Sequence, residues 1–371
     1  PQGFKESLSG MEIAEAMSLG VKRVWPDVET ILIPVADGGD GTLQALVDSS
    51  GGEVRTATVQ DAIGRPVKAE WGALGNGTTA VIEVANAVGL ARLSPEERDV
   101  RNASTFGIGQ LVTEALNAGF SHFIIGVGGS ATNDGGAGMI QAMGGRLSDK
   151  NGKELPRGGI ALANLTTIDI SDMDSRILDA DIVVACDVNN PLCGPRGASA
   201  IFGPQKGATF QDVQDLDAAL ANFAEVIAND LHTDVAEIPG AGASGGLGAG
   251  LMGFFDARLR LGADIVLEAV AIEDHLVDAE LVIVGEGQFD RSTVFNKSPV
   301  AVAQRAKKHG IPVIGIAGSL GAGFSEVHQH GIDAVFSLVN RPMSLKAAME
   351  DTKRLVTIAT EEACRAIAVE T

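Results

Sequence analysis

The chain has 371 residues, 45% of them hydrophobic and 20% charged, a composition typical of a globular protein with a large apolar core. Its formal net charge of −20 at pH 7 argues against nucleic acid or an anionic membrane surface as a partner. No apolar run approaches the roughly 18 residues that span a membrane, and the first residues do not resemble a signal peptide.

The three cysteines form no CxxC pair, and no histidine accompanies Cys186 and Cys193 at the spacing of a zinc site. This pattern argues against a zinc site and predicts a reducing, cytoplasmic compartment. The length allows two domains of ordinary size.

The first predicted helix begins at a capping box. Ser9 and Glu12 are three residues apart, so each side chain can bond the other's backbone N–H, and the helix is expected to run to about Trp25. Further helices are predicted to begin at Ser94 and Ser298 and to span residues 344–368.

Short apolar runs bounded by glycine or acidic residues predict strands buried on both faces of a parallel sheet. These runs are ILIPV (31–35), HFIIGV (122–127), DIVVAC (181–186), ELVIVG (280–285), IPVIGIAG (311–318) and DAVFSLV (333–339). Helical segments lie between many of them, which favours βαβ units. Residues 54–91 instead alternate in part and contain two turn signals, which predicts an antiparallel meander. We therefore expect an α/β domain that the chain leaves near residue 55 and re-enters between residues 240 and 265.

Glycines, several of them with carboxylates, follow the predicted strands. The stretches are ADGGDGT (36–42), GVGGSATNDGGAGM (126–139), DVNNP (187–191), EGQFD (286–290) and GS (318–319). One DGG alone is commonly a tight turn. Because strands of a parallel sheet end at one edge, their repetition there favours a magnesium–nucleotide site, with carboxylates for Mg²⁺ and glycine amides for phosphates.

The glycine-rich stretch 126–139 allows a second interpretation. Gly126, Gly128 and Ala131 fit the dinucleotide fingerprint G-x-G-x-x-[GA], which would indicate an NAD-dependent hydroxy-acid dehydrogenase. The following Thr-Asn-Asp-Gly-Gly delays the helix that this fingerprint requires, and residues 150–153 are typical of a turn. No GxxxxGK[ST] motif occurs in the chain.

Two further glycine-rich stretches each have two possible roles. Residues 239–250 either present amides at a helix N-terminus or allow close helix packing through small side chains. Lys206, between Gly203 and Gly207, either neutralises phosphate charge or is a solvated loop lysine.

Seven motifs in this order resemble those of the bacterial type I glycerate kinases, over essentially the whole chain. They are FKESLSG (4–10), PVADGGDGT (34–42), GVGGSATNDGGAGM (126–139), CDVNNPLCGPRGAS (186–199), FGPQKGA (202–208), PGAGASGGLGAG (239–250) and GEGQFD (285–290). The resemblance implies ATP- and Mg²⁺-dependent phosphorylation of D-glycerate, usually on the 2-hydroxyl. It also implies an α/β fold with two domains, a Rossmann/flavodoxin-like parallel-sheet domain and a mixed α/β domain inserted in it.

We accordingly predict one domain from residues 1–55 plus 240–371 and an inserted domain from residues 56–239, with the active site in the cleft between them. A monomer or homodimer is expected. Two stretches depart from the family pattern: Gln2-Gly3 replaces an Asp-Ser pair, and DRSTVFNK (290–297) lacks the glutamine and glycine of D-x-Q-T-x-x-G-K. The second departure is the one feature that favours a non-catalytic nucleotide-binding protein.

Candidate site residues follow from the chemistry of phosphoryl transfer, which needs a carboxylate to accept the hydroxyl proton and cations or amides for the phosphates. Asp187 is the predicted base, with Asp290 as the alternative. The other predicted catalytic residue is Lys206. Substrate and phosphate contacts are predicted for Lys5, Ser7, Ser9, Gly128, Gly129, Ser130, Thr132, Asn133, Asp134, Asn189 and Lys297, and metal contacts for Asp37, Asp40 and Glu286.

Overall fold

The computed structural model describes residues 1–4, 7–39, 41–295 and 297–369 and has a mixed α/β fold. Contacts within the chain divide it into two compact units. The split unit consists of Pro1–Asp37 and Ala263–Thr371, and the contiguous unit is Gly38–Gly262. None of the helices in the described ranges combines the length and apolarity that a membrane span requires.

Helices and strands alternate along much of the chain. The helices are α1 (Gly10–Val24), α2 (Thr42–Ser50), α3 (Val84–Val88), α4 (Phe106–Asn117), α5 (Ala137–Ala142), α6 (Ser175–Leu178), α7 (Ala198–Phe202), α8 (Phe210–Leu231), α9 (Ala243–Phe255), α10 (Gly262–Ala269), α11 (Ile272–Leu276), α12 (Ser298–Lys308), α13 (Leu345–Glu350) and α14 (Thr352–Ala368). The strands are β1 (Glu53–Gln60), β2 (Pro66–Ala73), β3 (Thr79–Glu83), β4 (His122–Gly126), β5 (Arg146–Ser148), β6 (Thr167–Asp169), β7 (Asp181–Ala185), β8 (Arg258–Arg260), β9 (Val282–Phe289), β10 (Val313–Leu320) and β11 (Ala334–Ser337).

The contiguous unit is built on a mixed sheet with the strand order β1-β2-β3-β4-β7-β8. Strands β1 to β3 pair antiparallel, as the meander predicted for residues 54–91 requires, whereas β3, β4, β7 and β8 pair parallel. The central strands bury large side chains, among them Trp71, Phe123 and Ile125, each at most 2% exposed. Burial on both faces explains why β4 and β7 appear in the sequence as continuous apolar runs.

The split unit contains the parallel strands β9, β10 and β11, in the order β11-β10-β9. Helices α1 and α14 pack together, and Ile13, Met17 and Leu355 join Ile316 of the sheet in one apolar core. The capping box predicted at the start of α1 is present, because Ser9 accepts from the Glu12 backbone and the Glu12 side chain accepts in return.

Several predicted elements differ from the structure. Residues 31–35 form no strand. The helix predicted at Ser94 is a single 3₁₀ turn, Pro95–Glu97, because Arg98 is already extended. The predicted helix over residues 344–368 is divided between α13 and α14.

The boundaries between the two units fall after residues 37 and 262. The first lies before the predicted residue 55, and the second lies within the range of residues 240–265 in which the chain was predicted to re-enter the first domain. The reason is pairing and packing on the mixed sheet: α2 packs against β2 and β3, and β8 pairs with β7. The rest of the predicted domain organisation stays a prediction.

Candidate active site

The parallel strands of the contiguous unit end at one edge of the sheet. In the register, Glu83 of β3 pairs with Gly126 of β4, Gly126 with Ala185 of β7, and Ala185 with Arg260 of β8. We call the carboxyl edge the set Glu83, Gly126–Gly129, Asp187 and Arg260. Such an edge is where ligands bind in open parallel sheets.

The backbone of Gly38 crosses the carboxyl edge at close range. A Cβ on Gly126 would lie 3.1 Å from the Gly38 carbonyl oxygen, and a Cβ on Gly38 would lie 3.1 Å from the Cα of Gly262. Gly38 also has φ of +91°, which an L side chain rarely adopts. Gly38 therefore serves close backbone approach as well as turning.

Asp187 lies at the carboxyl edge as predicted, two residues beyond β7, and is exposed to solvent. The Gly262 N–H donates to its Oδ1 at 3.0 Å. This contact fixes one carboxylate oxygen on the backbone. Asn189, predicted to orient ligands, is exposed in the same loop.

Glu83 and Arg260 also belong to the carboxyl edge, although sequence reasoning missed both. Glu83 is 9% exposed, and its Oε1 accepts from the Leu43 N–H at 2.8 Å, near the start of α2. The signal for Glu83 was an acid that directly ends the apolar strand TAVIE, the same pattern that singled out Asp187. Arg260 ends a strand of three residues, which is too short to recognise as a strand from sequence.

The loop after β4 changes from exposed to buried along its length. Gly128 and Gly129 are exposed, whereas Ser130, Thr132, Asn133 and Asp134 are each at most 5% exposed. The predicted ligand contacts through the backbone of Gly128 and Gly129 are therefore compatible with their exposure.

Asp134 was predicted to contact substrate, and in the structure its carboxylate makes hydrogen bonds within the protein. It is 0% exposed and accepts hydrogen bonds from the Thr105 N–H and hydroxyl and from the Gly136 and Gly138 N–H groups, at 2.8 to 3.2 Å. Burial raises its pKa, and these hydrogen bonds oppose the rise. These hydrogen bonds hold the loop in place, and a contact between Asp134 and substrate stays a prediction.

Thr132 and Asn133 are buried beside Asp134. The Asn133 Nδ2 donates to the Ser199 hydroxyl at 2.9 Å, but its Oδ1 and the Thr132 Oγ1 have no hydrogen-bond partner in the described part of the chain. Both residues are 0% exposed, so a ligand could reach these atoms only if the loop moved.

Lys206 is not a solvated loop lysine, one of its two predicted roles. It is 2% exposed, and its Nζ donates to the Ser130 hydroxyl at 3.0 Å and to the Thr132 carbonyl at 2.6 Å. Burial lowers its pKa from the ordinary 10.5 to about 7, and the nearby Asp134 carboxylate partly opposes this. The ammonium therefore holds the loop after β4 and does not project freely toward a phosphate.

The stretch 239–250 has close packing as its visible role. Ser244, Gly245 and Gly246 interrupt the helical geometry of α9 with positive φ values. A Cβ on Gly245 would lie 2.0 Å from the Thr132 carbonyl oxygen, so only glycine lets this segment meet the loop. The Gly135 N–H donates to the Gly245 carbonyl at 3.0 Å.

In the split unit, the predicted metal and phosphate residues Glu286 and Lys297 are paired. The Lys297 Nζ lies 2.5 Å from Glu286 Oε1, and the Thr293 hydroxyl donates to Oε2 at 3.1 Å. Burial raises the pKa of Glu286, Lys297 opposes this, and Asp37 adds a smaller increase. Glu286 and Asp37 are thus near enough to interact, and Lys297 lies beside Glu286.

The remaining predicted residues of the split unit take part in local structure. Asp290 accepts from the Ser292 N–H and hydroxyl at 2.7 and 2.6 Å, which lowers its pKa and caps a 3₁₀ turn. The Ser9 hydroxyl caps α1, and the Ser7 hydroxyl lies 2.6 Å from the Thr352 hydroxyl. Ligand binding by these groups stays a prediction.

Lys5 and Asp40 lie outside the described residues. Within the described ranges there is no group of three or more His, Cys, Asp or Glu side chains arranged to hold a metal ion. Mg²⁺ commonly uses one or two carboxylates together with phosphate oxygens and water, and the magnesium contacts of Asp37 and Glu286 stay a prediction.

Comparison with known proteins gives a consistent result. The model of the glycerate kinase family matches residues 1–368. A glycerate kinase of Halalkalibacterium halodurans is 49% identical over 369 residues, covering 100% of this chain and 96% of that protein. The glycerate 2-kinase of Escherichia coli is 50% identical over 339 residues, covering 91% of this chain and 89% of that protein. A crystal structure from Salmonella typhimurium LT2, of a protein assigned as glycerate kinase 2, superimposes with a TM-score of 0.91 at 45% identity, covering 100% of this chain and 97% of that one.

Proposed function

Because the chain belongs to the glycerate kinase family and is an ATP-dependent glycerate kinase, we propose that it phosphorylates the 2-hydroxyl of D-glycerate, giving 2-phosphoglycerate and ADP. The name of the Escherichia coli relative, glycerate 2-kinase, supports this choice of hydroxyl. The structural observation that carries the proposal is the carboxyl edge, where an exposed carboxylate lies beside an exposed glycine loop.

Asp187 is proposed as the general base. Phosphoryl transfer requires a carboxylate within about 3 Å of the acceptor hydroxyl, to take its proton as the oxygen bonds to phosphorus. The Gly262 N–H holds Oδ1, and the exposure of Asp187 lets its carboxylate reach a substrate. The proton passes from the 2-hydroxyl to Asp187, the P–O bond to glycerate forms, and the bond to ADP breaks.

ATP and Mg²⁺ are proposed to involve the split unit. The oxygens of Glu286 and Asp37 are the ligand type that Mg²⁺ prefers. Burial raises the pKa of Glu286, and the charge of Asp37 nearby adds a smaller increase. Bound Mg²⁺ would stabilise the negative charge that develops on the phosphate oxygens. Lys297, at the start of α12, supplies positive charge for the phosphates.

The glycine loop is proposed to bind an anionic oxygen. Gly128 and Gly129 are exposed at the carboxyl edge, so their N–H groups can approach a carboxylate or a phosphate without side chains in the way. The dehydrogenase alternative is disfavoured, because the helix that the fingerprint requires begins only at Ala137.

The direct experiment supplies D-glycerate, ATP and Mg²⁺ and identifies the product by ³¹P NMR. We expect 2-phosphoglycerate. The 3-phospho isomer would overturn the choice of hydroxyl, and absence of any phosphoglycerate from folded protein would overturn the proposed function.

The role of Asp187 is tested with Asp187→Asn, which keeps the shape and removes the base. We expect kcat to fall between about 10²- and 10⁴-fold. The matched control is Asp181→Asn, at the other end of β7, where the carboxylate makes a surface pair with Arg258. Near-normal kcat in Asp187→Asn, or an equal loss in the control, would contradict the assignment.

A further inference from the structure

Lys206 is a charged side chain enclosed by protein. It is 2% exposed and lies in the 3₁₀ turn Pro204–Lys206, between two glycines. Burying an ammonium group is costly unless hydrogen bonds and charge compensate. A lysine on a loop can usually reach water by extending its side chain, so its burial here needs a reason beyond packing.

The hydrogen bonds of Lys206 have a defined direction. An ammonium group has three N–H donors and no lone pair, so it must donate to both of its partners, the Ser130 Oγ and the Thr132 carbonyl. Ser130 therefore accepts from Lys206, and its own hydroxyl hydrogen remains to be donated. Within the described residues, no acceptor for that hydrogen is found.

The groups around Ser130 and Lys206 also favour a ligand at the Ser130 hydroxyl. Ser130 follows directly after Gly128 and Gly129, which are exposed at the carboxyl edge. Asp134 is the charged group that faces Lys206, and four donors already hold its carboxylate. The ammonium charge is thus only partly compensated, which favours an anion near Ser130.

We propose that Lys206 is a positioning residue that holds the Ser130 hydroxyl as a hydrogen-bond donor toward an anionic oxygen of the bound ligand. The ligand oxygen belongs to a carboxylate or a phosphate, the two anionic groups of a glycerate kinase reaction. This inference rests on the proposed function.

The charge state of Lys206 supports a specific pH dependence. Its pKa is lowered to about 7 by burial, with Asp134 opposing. Below this pH the ammonium fixes Ser130 as described. Above it, the neutral amine has a lone pair that can accept the Ser130 hydroxyl hydrogen, so the donor to the ligand is lost. Affinity for the anion should therefore decrease as the pH rises through the pKa of Lys206.

The experiment measures binding by calorimetry between pH 6 and 9, with two probes in separate titrations, D-glycerate alone and Mg-ATP alone. The variants of the full-length protein are Ser130→Ala, Lys206→Met and the double variant. Controls are Lys153→Met, an exposed lysine, and Ser121→Ala, an exposed serine before β4. The glycerate carboxylate does not titrate in this range, so its pH profile reports on the protein.

At pH 6.5 we expect each single variant to bind one of the two probes with roughly tenfold lower affinity, the loss that follows from removing a charge-assisted hydrogen bond. The double variant should bind that probe no more weakly than the single variant with the lower affinity, because both substitutions remove the same interaction. Ser130→Ala should also lose the decrease in affinity with pH. The probe whose binding affinity falls identifies the anionic group as carboxylate or phosphate.

Additive losses, unchanged binding of both probes to Ser130→Ala, or a wild-type affinity that is flat between pH 6 and 9 would overturn the proposal. Ser130→Ala and the wild-type pH profile decide the question even if Lys206→Met does not fold. Product formation by the wild type is measured separately by ³¹P NMR. A protein that forms phosphoglycerate while Ser130→Ala binds normally would refute this inference alone.

Discussion

Replacing Lys206 with methionine is expected to change how the stability of the protein depends on pH. The native lysine has a pKa lowered to about 7, whereas the unfolded chain keeps the ordinary 10.5. Between these values the native state binds fewer protons than the unfolded state, so the free energy of unfolding rises with pH. The methionine variant lacks this contribution.

The size of the effect follows from the two pKa values. Each pH unit of differential protonation is worth about 1.36 kcal/mol, and from pH 7 to pH 9 the native lysine loses most of its proton while the unfolded lysine keeps it. The wild type should therefore gain about 2 kcal/mol relative to Lys206→Met over this range. The range ends at pH 9, because burial raises the pKa of Cys193 to about 12 and of Cys364 to about 11, and these thiols lower stability above that pH.

The assay is urea unfolding at pH 7, 8 and 9, followed by tryptophan fluorescence. Trp71, which is 2% exposed, reports on the contiguous unit, and a Trp25→Phe background removes the other tryptophan. Groups common to both proteins cancel in the difference between them. Lys153→Met should show no such trend, since this lysine is exposed. A difference between wild type and Lys206→Met that stays constant from pH 7 to 9 would refute the reasoning.

Two further predictions concern the packing of the loop after β4. Gly245→Ala should cost about 3 kcal/mol or more in unfolding free energy, because its Cβ would lie 2.0 Å from the Thr132 oxygen. The control Gly152→Ala, at a similar positive φ with open space around it, should cost about 1–2 kcal/mol. Equal costs would mean that strain in the backbone dominates. Asp134→Asn should cost about 3 kcal/mol or more in unfolding free energy, since it leaves buried N–H groups without their acceptor. The control Asp149→Asn, in a solvent-facing turn, should cost less than about 1 kcal/mol. Denaturant midpoints measure both costs, and similar losses of stability would contradict the role of burial.

Local signals in the sequence predicted much of the fold. The capping box at Ser9 and Glu12 defines the start of α1, because it depends on residues three apart. The apolar runs of β4 and β7 are visible because burial on both faces removes polar residues from them. Asp187 was predicted at the carboxyl edge because a parallel sheet places the ends of its strands together.

The remaining features depend on contacts between distant residues. Lys206 meets Ser130 across 76 positions of the chain, so no local pattern separates a buried lysine from a solvated one. The same limit applies to Asp134. An acidic side chain in a glycine-rich loop is typical of a ligand contact, and its hydrogen bonds with the distant Thr105 are visible only in the folded structure. Residues 31–35 have the composition of a strand but lack the continuous pairing that makes one.

The contact between Gly38 and Gly262 has a consequence for the way this polypeptide can be rearranged. These residues begin and end the contiguous unit, and a Cβ on one would lie 3.1 Å from the Cα of the other. A segment whose ends meet can be closed into a ring by a short linker and reopened elsewhere, preferably at an exposed turn with small residues. The turn at Gly152, which has open space around it, is such a place. Residues 38–262 are thus well suited to circular permutation, which keeps the strand order of the sheet and changes the order of the chain.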